Sequence, residues 1–490
     1  MPEFLNIAGP VGAVWLVLDW VLRIVALFVV PRGRKPTAGM AWLLFIFFFP
    51  ALGFLIFLIL GSPKLPARRR DAQKTLDKAL QKVLAKLKRH DSKKLLSAEA
   101  PTEYKTLAKL SQSLTGLPVF GGNTIEILPE YDDVAPRMVK DIDTAKTYVH
   151  VEFFIVAIDA YTQSVFDALA RAVKRGVTAR LLYDAFATHR YPMWKEMLKQ
   201  LEASGVHVQA MLPFRMPGKG YTRPDLRNHR KLFIVDGRVG YTGSLNLIRR
   251  DYHRKDDIYY DELVARVDGP VALQMSAVFL TDWHAETGET LEYQDTKSIS
   301  KLVTARGTSL AQILPSGPGY EDENNLKLFT SLMHQAHDTI TIVNPYFVPD
   351  DALTNAITSA ARRGVTVTLI NSEAMDQWMV GHAQRSFYDV FLAAGVRVYL
   401  YNAPVLLHSK FMVIDGRIAT IGSSNLDIRS FTLNMEVTLT CYDPKVAHKL
   451  QLVAEDCLTR SHALHLHEWR KRPRRQQLGE NLARLTSALQ

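Results

Sequence analysis

The apolar positions of this chain fall into two regimes. The first is a pair of long unbroken runs near the N-terminus. Met40 to Leu60 reads "MAWLLFIFFFPALGFLIFLIL", 21 residues without a charge, enough to cross a bilayer core at helical rise. It predicts a helix over about 39–60, with Pro50 tolerated where neighbours satisfy the freed carbonyl. Val11 to Val30 is also apolar, broken only by Asp19 and Arg23. Four residues apart, these two share one helical face and can pair, which lowers the cost of burying them. This run predicts a first helix over about 8–30. No basic residue precedes it and no small-residue cleavage site follows it, which argues against a signal peptide. Residues 1–62 therefore read as a two-helix transmembrane hairpin.

Residues 63–115 read as a basic juxtamembrane linker. Leu76, Leu80, Val83, Leu84 and Leu87 follow helical spacing, with lysines on the other faces. That pattern fits both a helix lying on an anionic membrane surface and a connecting helix packed on the body. From about Gly116 the second regime begins, in which strands alternate with amphipathic helices. "TYVHVEFFIV", "AYTQSVFDALARAVKRGV" and "TARLLYDA" form a strand–helix–strand series. "TITIVNPYFV", "DDALTNAITSAARRGV" and "TVTLINSE" repeat it. This order predicts an α/β fold of two fused α/β sandwich domains with mixed sheets, over 116–295 and 296–460. The copies differ in one place. Gly205 precedes His229 by 24 residues, whereas Gly395 precedes His408 by 13. The additional stretch "MLPFRMPGKGYTRPDLRN" reads as a long basic loop beside the first site, or as a solvated insertion.

Charge changes the picture in two ways. Among 490 residues, 60 Lys and Arg face 49 Asp and Glu, a formal net charge of +11. An anionic partner follows: lipid headgroups, nucleic acid or a phosphorylated substrate. The link between the apolar runs carries three basic residues, Arg32, Arg34 and Lys35. The flank after them carries six between Lys64 and Lys78. Positive-inside counting thus expects a multi-pass membrane protein with its body on the cytoplasmic side. The two cysteines, Cys441 and Cys457, have no metal-type spacing; a disulfide framework is not expected, and a reducing compartment fits.

The chemistry lies in a repeated stretch. "HRKLFIVDGRVGYTGSLN" starts at His229 and "HSKFMVIDGRIATIGSSN" at His408. His229, Lys231, Asp236, Gly243 and Asn246 each return 179 residues later, as His408, Lys410, Asp415, Gly422 and Asn425. His and Lys two apart on a strand share a face. The Asp has the opposite parity and precedes a Gly between two apolar runs, a hairpin signal; it is expected to shape the motif. The returning strand brings Ser244 and Asn246, or Ser424 and Asn425, back near the histidine, with the serines as substrate-binding candidates. Each copy thus offers one imidazole, one ammonium and one amide.

Such a set suits a phosphate diester. Lysine and amide donors neutralise charge that builds in the transition state. One histidine attacks phosphorus, and the other protonates the leaving alcohol and then deprotonates the incoming one. Two copies supply both roles in one site. A histidine in such a role needs its second nitrogen held by an acceptor. Asp261 and Glu436 each precede another aspartate, Asp268 and Asp443, by seven residues. That parallel expects Asp261 to orient His229 and Glu436 to orient His408. No metal and no cofactor is expected. The cluster His462, His465 and His467 has irregular spacing, and solvated histidines account for it better than a zinc site. The basic tail 461–490 fits either a lipid-facing segment or a plain surface helix.

At these residues the chain resembles the phospholipase D superfamily, whose two HKD motifs match His229/Lys231/Asp236 and His408/Lys410/Asp415. The hairpin, "GGNTIEIL" at Gly121, "HVEFF", "NPYFVPD" at Asn344 and "GSSNLDIRSFTLNME" are similar to bacterial cardiolipin synthases, over nearly the whole chain. The resemblance implies transphosphatidylation of two phosphatidylglycerol molecules to cardiolipin and glycerol, with His229 as nucleophile and His408 as acid/base. The charged stretch "IRRDYHRKDDIYYD" departs from the "IRSF" continuation found after the second motif. The alternatives are another membrane phospholipase D-type phosphatidyltransferase or hydrolase, a membrane-bound nuclease, and a non-enzymatic lipid-surface scaffold. Nucleic acid is not the expected partner, because no interleaved aromatic-basic stretch marks a strand-binding groove. Oligomeric state, acyl preference and the use of phosphatidylethanolamine are not legible.

Overall fold

A computed structural model gives the fold and describes residues 10–71, 73–74, 98–213, 222–253, 257–289 and 304–487. The chain forms two compact units. One comprises Met1–Leu65 with Phe214–Asp225, the other Pro66–Pro213 with Leu226–Gln490.

Among its described residues the smaller unit contains three helices, α1 (Pro10–Val29), α2 (Pro36–Phe48) and α3 (Pro50–Leu60). The single helix expected over 39–60 is broken. Phe49 adopts φ −133° and ψ 72°, because a proline clashes with helical backbone at the preceding residue and lacks an N–H of its own. No helix among the described residues is long and apolar enough to cross a membrane. In α1, Asp19 and Arg23 pair at 3.0 Å as their spacing predicts. A small core of Ala26, Val30, Ile46 and Phe57 joins the helices, while Trp15, Phe28, Phe48 and Leu58 stay exposed. Arg34 donates to the carbonyls of Val30 and Gly61. Arg223, from the long loop before the first motif, donates to the carbonyl of Leu60. The linker helix expected around Leu76–Leu87 lies outside the described residues.

The larger unit is built on one large mixed sheet and two separate two-stranded pairs. Its first half contributes β1 (Phe120–Leu128), β2 (Tyr148–Phe153), β3 (Thr178–Asp184), β4 (His207–Met211), β5 (Arg227–Asn228), β6 (Leu232–Val235), β7 (Val239–Gly243), β8 (Tyr259–Asp261) and β9 (Val264–Asp268). The second contributes β10 (Ser309–Ser316), β11 (Thr339–Val343), β12 (Phe347–Val348), β13 (Thr366–Ser372), β14 (Arg397–Tyr401), β15 (Val405–Leu407), β16 (Phe411–Ile414), β17 (Ile418–Gly422), β18 (Leu426–Asp427), β19 (Asn434–Cys441) and β20 (Ser461–Ala463). The order β4-β3-β2-β6-β7-β9-β1 continues through β10-β19-β17-β16-β11-β13-β14-β20. Each half has three parallel strands (β2-β3-β4 and β11-β13-β14) followed by an antiparallel hairpin (β6-β7 and β16-β17). The halves join through the antiparallel pair β1 and β10.

Alternation along the strands makes each half a sandwich. Val149, Val151 and Phe153 of β2 face a core shared with the helices Tyr131–Asp143 and Gln163–Lys174. His150, on the other face, stacks on Phe279 of the helix Val271–Thr287 at 4.2 Å. The second half has its own core, with Ile340, Ile342, Leu353, Ile357 and Phe391. The end of the segment expected as a linker joins it: helix Lys105–Thr115 buries Leu107 and Ala108 there. The described part of the tail, 461–487, also folds back. Tyr388 meets Trp469 edge-on at 5.4 Å, and the Arg484 guanidinium sits 4.4 Å from the Phe387 ring.

Both Asp-Gly pairs form the predicted hairpin turns. Asp236 and Gly237 have φ of 53° and 62°, and Asp415 and Gly416 have 51° and 61°. Positive φ at both central positions is the type I′ pattern that matches strand twist. The carboxylate of Asp236 accepts from the N–H groups of Lys146, Thr147 and Tyr148 at 2.8–2.9 Å. That of Asp415 accepts from His337, Asp338 and Thr339 at 2.8–3.0 Å. Each aspartate thus staples its hairpin to the start of the neighbouring parallel strand.

Candidate active site

Short strands cross between the halves just ahead of each motif. β5 pairs in parallel with the start of β19, Arg227 opposite Asn434 and Asn228 opposite Met435. β15 pairs in parallel with β8, Leu407 opposite Asp261. The N–H of His229 then donates to the carbonyl of Met435 at 2.9 Å, and that of His408 to the carbonyl of Asp261 at 2.7 Å. Behind each crossing lies the last residue of a parallel strand. Asp184 of β3 accepts from the N–H of Asn228 at 3.0 Å, and Ser372 of β13 from that of Leu407 at 3.2 Å.

These crossings set the carboxylate partners, and they correct both orienting assignments. His229 places Nδ1 2.9 and 3.0 Å from the two carboxylate oxygens of Glu436, in the opposite half. His408 places Nδ1 2.8 and 2.9 Å from those of Glu262. Asp261 instead accepts from the Tyr401 hydroxyl at 2.8 Å and pairs with Arg460 at 3.4 Å. Adjacent residues of an extended chain point to opposite sides, so only one of Asp261 and Glu262 can face His408. Strand register shows why the seven-residue parallel misled. Gly243 is opposite Val264 and Gly422 opposite Thr438, which makes Glu262, two residues before Val264, the counterpart of Glu436. The distance from Asn246 to Glu262 is five residues longer than that from Asn425 to Glu436, and the trailing aspartates are not counterparts. Asp443 caps the helix Pro444–Thr459, whereas Asp268 stands at the end of β9.

The serines need a similar correction. Ser244 accepts from the N–H of Leu263 at 2.8 Å, and Ser423 from that of Val437 at 3.0 Å. Ser423 also donates to Glu436. Ser423, not Ser424, is therefore the partner of Ser244, and both serve the carboxylate strands. Ser424 is buried against Asn325, which donates to it at 2.8 Å. The motif G-S-S-N offered two serines, and only the count from Gly422 separates them.

Lys231 and Lys410 are buried, and each Nζ donates to the carbonyl of its own histidine, at 2.9 and 2.6 Å. Asn246 donates to the Tyr252 hydroxyl at 3.1 Å, and Asn425 is buried. Asp236 and Asp415 lie at the hairpin turns, beyond the strands that follow the lysines. Aromatic rings wall the histidines edge-on: Phe154 against His229 at 4.9 Å, Tyr260 and Tyr346 against His408 at 5.5 and 6.0 Å. Both tyrosine hydroxyls donate to Asp376, at 3.2 and 2.7 Å. Phe154 and Tyr346 lie in "HVEFF" and "NPYFVPD", so their segments were visible in the sequence although their contacts were not.

The charges of the two halves act on one another. Burial pushes the Lys231 ammonium down to about 8 and the Lys410 ammonium down to about 7, although Glu262 and Glu436 oppose both shifts. Burial, then the charges of Lys231, Lys410 and His408, hold His229 well below its ordinary value. Burial also lowers His408, but the Glu262 carboxylate pulls against it. The carboxylates divide accordingly. Burial pushes Glu436 up to about 8. Glu262 falls below its usual value despite burial, because His408 and Lys410 favour its anion.

Residues 138–283 and 329–457 match the family described as cardiolipin synthase, PLD-like domain, and residues 21–62 match that described as phospholipase D-nuclease N-terminal. The chain belongs to the cardiolipin synthase family. It is 32% identical over 464 residues to cardiolipin synthase A of Shigella flexneri, covering 94% of each chain. It is 33% identical over 477 residues to cardiolipin synthase A of Klebsiella pneumoniae, covering 96% of each. The fold is similar to that of phosphatidylserine synthase from Haemophilus influenzae, with a TM-score of 0.59 at 17% identity, covering 78% of this chain and 99% of that one. Members of the cardiolipin synthase family are phospholipase D-type phosphatidyltransferases. Among the described residues no group of three or more His, Cys, Asp or Glu side chains could hold a metal ion. His462 contacts Asn402 at 2.8 Å.

Proposed function

We propose that this chain makes cardiolipin and glycerol from two phosphatidylglycerol molecules through a phosphohistidine. The carrying observation is the crossed pairing, His229 with Glu436 and His408 with Glu262. A carboxylate at Nδ1 fixes the tautomer and leaves Nε2 for chemistry. His229, kept neutral by burial and by the neighbouring charges of Lys231, Lys410, His408 and Arg429, holds a free lone pair and attacks phosphorus. The P–O bond to glycerol breaks as the N–P bond forms. His408, beside an ionised Glu262 that stabilises its cation, gives the proton to the leaving glycerol oxygen. It then takes a proton from the hydroxyl of the second lipid, which attacks phosphorus and frees His229. Lys231 and Lys410, with Asn246 and Asn425, neutralise the non-bridging oxygens.

Attachment to the bilayer belongs to this proposal. The three short helices of the smaller unit turn Trp15, Phe28, Phe48 and Leu58 outward, a surface suited to lipid. We place this unit in the inner membrane as a multi-pass anchor, with the body on the cytoplasmic side where the six basic residues after Gly61 fall. An acceptor held in the membrane then meets the phosphohistidine in preference to water.

The test uses purified full-length protein with phosphatidylglycerol labelled in its headgroup and acyl chains. Cardiolipin and free glycerol in equal amounts are the expected products, and EDTA leaves the rate unchanged. Phosphatidic acid as the main product would make the enzyme a hydrolase. Loss of turnover with EDTA, restored by one particular metal, would overturn charge stabilisation by lysine and amide alone.

A further inference from the structure

Large apolar side chains stand exposed in two places on the catalytic body. Phe186 is 56% exposed and Met193 56%; Trp378 is 69% exposed and Met379 45%. The first pair follows β3 and the second follows β13, the equivalent strands of the two halves. Both patches begin where the site is held. The last residue of β3, Asp184, accepts from the N–H of Phe186 and from that of Asn228, next to His229. Ser372, the last residue of β13, accepts from the N–H of Leu407, next to His408. Trp378 lies two residues beyond Asp376, which holds the tyrosines against His408.

Neither patch is explained by folding. Met193 adopts φ 65°, a left-handed conformation uncommon for a non-glycine residue, yet its side chain is exposed. Cations accompany the rings of the first patch. The exposed Arg190 guanidinium lies 5.4 Å from the Phe186 ring, and the exposed Lys195 ammonium lies 5.5 Å from the Trp194 ring. Aromatic rings beside basic heads are the composition of an interfacial anchor: the rings enter the headgroup region and the cations meet phosphates.

We propose that these two patches are the surfaces by which the catalytic body rests on an anionic bilayer, one on either side of the site. The inference rests on the lipid-transfer reading. Two substrates whose acyl chains stay in the bilayer reach buried histidines only if the edge carrying the site faces the headgroups. A patch in each copy of the repeat holds that edge flat, so that neither lipid has to leave the membrane.

The experiment uses the full chain reconstituted in phosphatidylglycerol/phosphatidylcholine vesicles. Cys441 and Cys457 are buried, so Phe186→Cys, Trp378→Cys and a control, Lys174→Cys, each take one environment-sensitive fluorophore. Lys174 is exposed and ends the helix that precedes β3, at the opposite end of that strand. Shallow spin-labelled lipid is expected to quench the label at 186 and at 378 and to leave that at 174 bright. Equal quenching at all three positions, or none at 186 and 378, overturns the proposal. So does quenching that disappears as protein density rises, which assigns the patches to contact between copies of the chain. In a second arm, the Phe186→Ala, Trp378→Ala double variant should lose about tenfold or more of its turnover on vesicle phosphatidylglycerol. It should cleave a soluble nitrophenyl phosphodiester at the wild-type rate. Equal loss on both substrates, or loss on neither, also overturns it. A wild-type protein that is quenched as expected and cleaves the soluble diester, but forms no cardiolipin, sinks the reaction assignment and leaves the docking surface standing.

Discussion

The backbone N–H of His229 donates to the carbonyl of Met435, the residue before Glu436, at 2.9 Å. One main-chain bond between the halves thus sets the side-chain pair beside it, and His408 repeats the arrangement with Asp261 and Glu262. The carboxylates are buried and make both contacts with their own histidine. Glu262→Gln and Glu436→Gln should therefore each lower turnover by roughly 10²–10⁴-fold, since an amide cannot stabilise the imidazolium and can select the wrong tautomer. Asp261→Asn should stay within about tenfold of wild type, because Asp261 faces Tyr401 and Arg460 and a partly exposed ion pair contributes little. Steady-state rates on phosphatidylglycerol decide the matter; an Asp261→Asn loss as deep as that of Glu262→Gln would restore the assignment expected from sequence.

The repeat made the two-half architecture and both histidine–lysine sets legible, because five residues kept a fixed spacing. What escaped the sequence had local causes. A five-residue difference between Asn246–Glu262 and Asn425–Glu436 shifted the register, and a matching pair of aspartates disguised it. Crossed pairing cannot be read from spacing at all, since β5 and β15 are two and three residues long and their partners lie in the other half. Hydropathy found the apolar run 40–60 but not its break, where the conformation of Phe49 before Pro50 outweighed continuous helix.

Asp236 and Asp415 share the motif with the histidines and lysines but fasten hairpins. Each carboxylate accepts three backbone N–H groups and tolerates positive φ better than most residues. Asp236→Ala and Asp415→Ala should each destabilise the protein by about 1–3 kcal/mol, from unsatisfied donors and turn strain. The fraction that remains folded at low temperature should keep turnover within about tenfold of wild type. Thermal melts paired with active-site titration separate the two effects; full folding with abolished chemistry would give the aspartates a direct catalytic role.

Burial of the lysine ammonium groups predicts a trade of stability for activity. Lys410 falls from 10.5 to about 7 on folding. A lowered amine pKa costs stability in full below about pH 7, where both folded and unfolded chains carry the proton. The cost fades as pH rises from 7 towards 10.5, where the folded protein has lost that proton and the unfolded chain still holds it. Lys410→Met should therefore raise the melting temperature, most at pH 6 and progressively less above pH 7, while abolishing turnover. The same charge is needed to receive the phosphodiester, so wild-type kcat/KM should fall above about pH 7, as free Lys410 loses its proton. A melting-temperature gain that grows with pH would contradict the sign of this burial effect.

The two histidines should separate under trapping. A nitrophenyl phosphodiester has a leaving group that needs no proton. His408→Ala should still transfer the phosphoryl group from it to His229, but should lack the base that activates the acceptor, so phosphoprotein accumulates. His229→Ala should accumulate none. On phosphatidylglycerol, both variants should lose roughly 10²–10⁴-fold, because glycerol must be protonated as it leaves. The asymmetry that sets this order is electrostatic. His229 is held neutral by burial and neighbouring cations, beside a Glu436 raised to about 8; His408 stands beside Glu262, which remains ionised. A nucleophile needs the neutral ring and an acid needs support for its cation. Label recovered on His408 in alkali-quenched, alkali-stable digests would exchange the two roles and keep the paired mechanism. Label on neither histidine would replace the two-step transfer with direct displacement by the acceptor lipid.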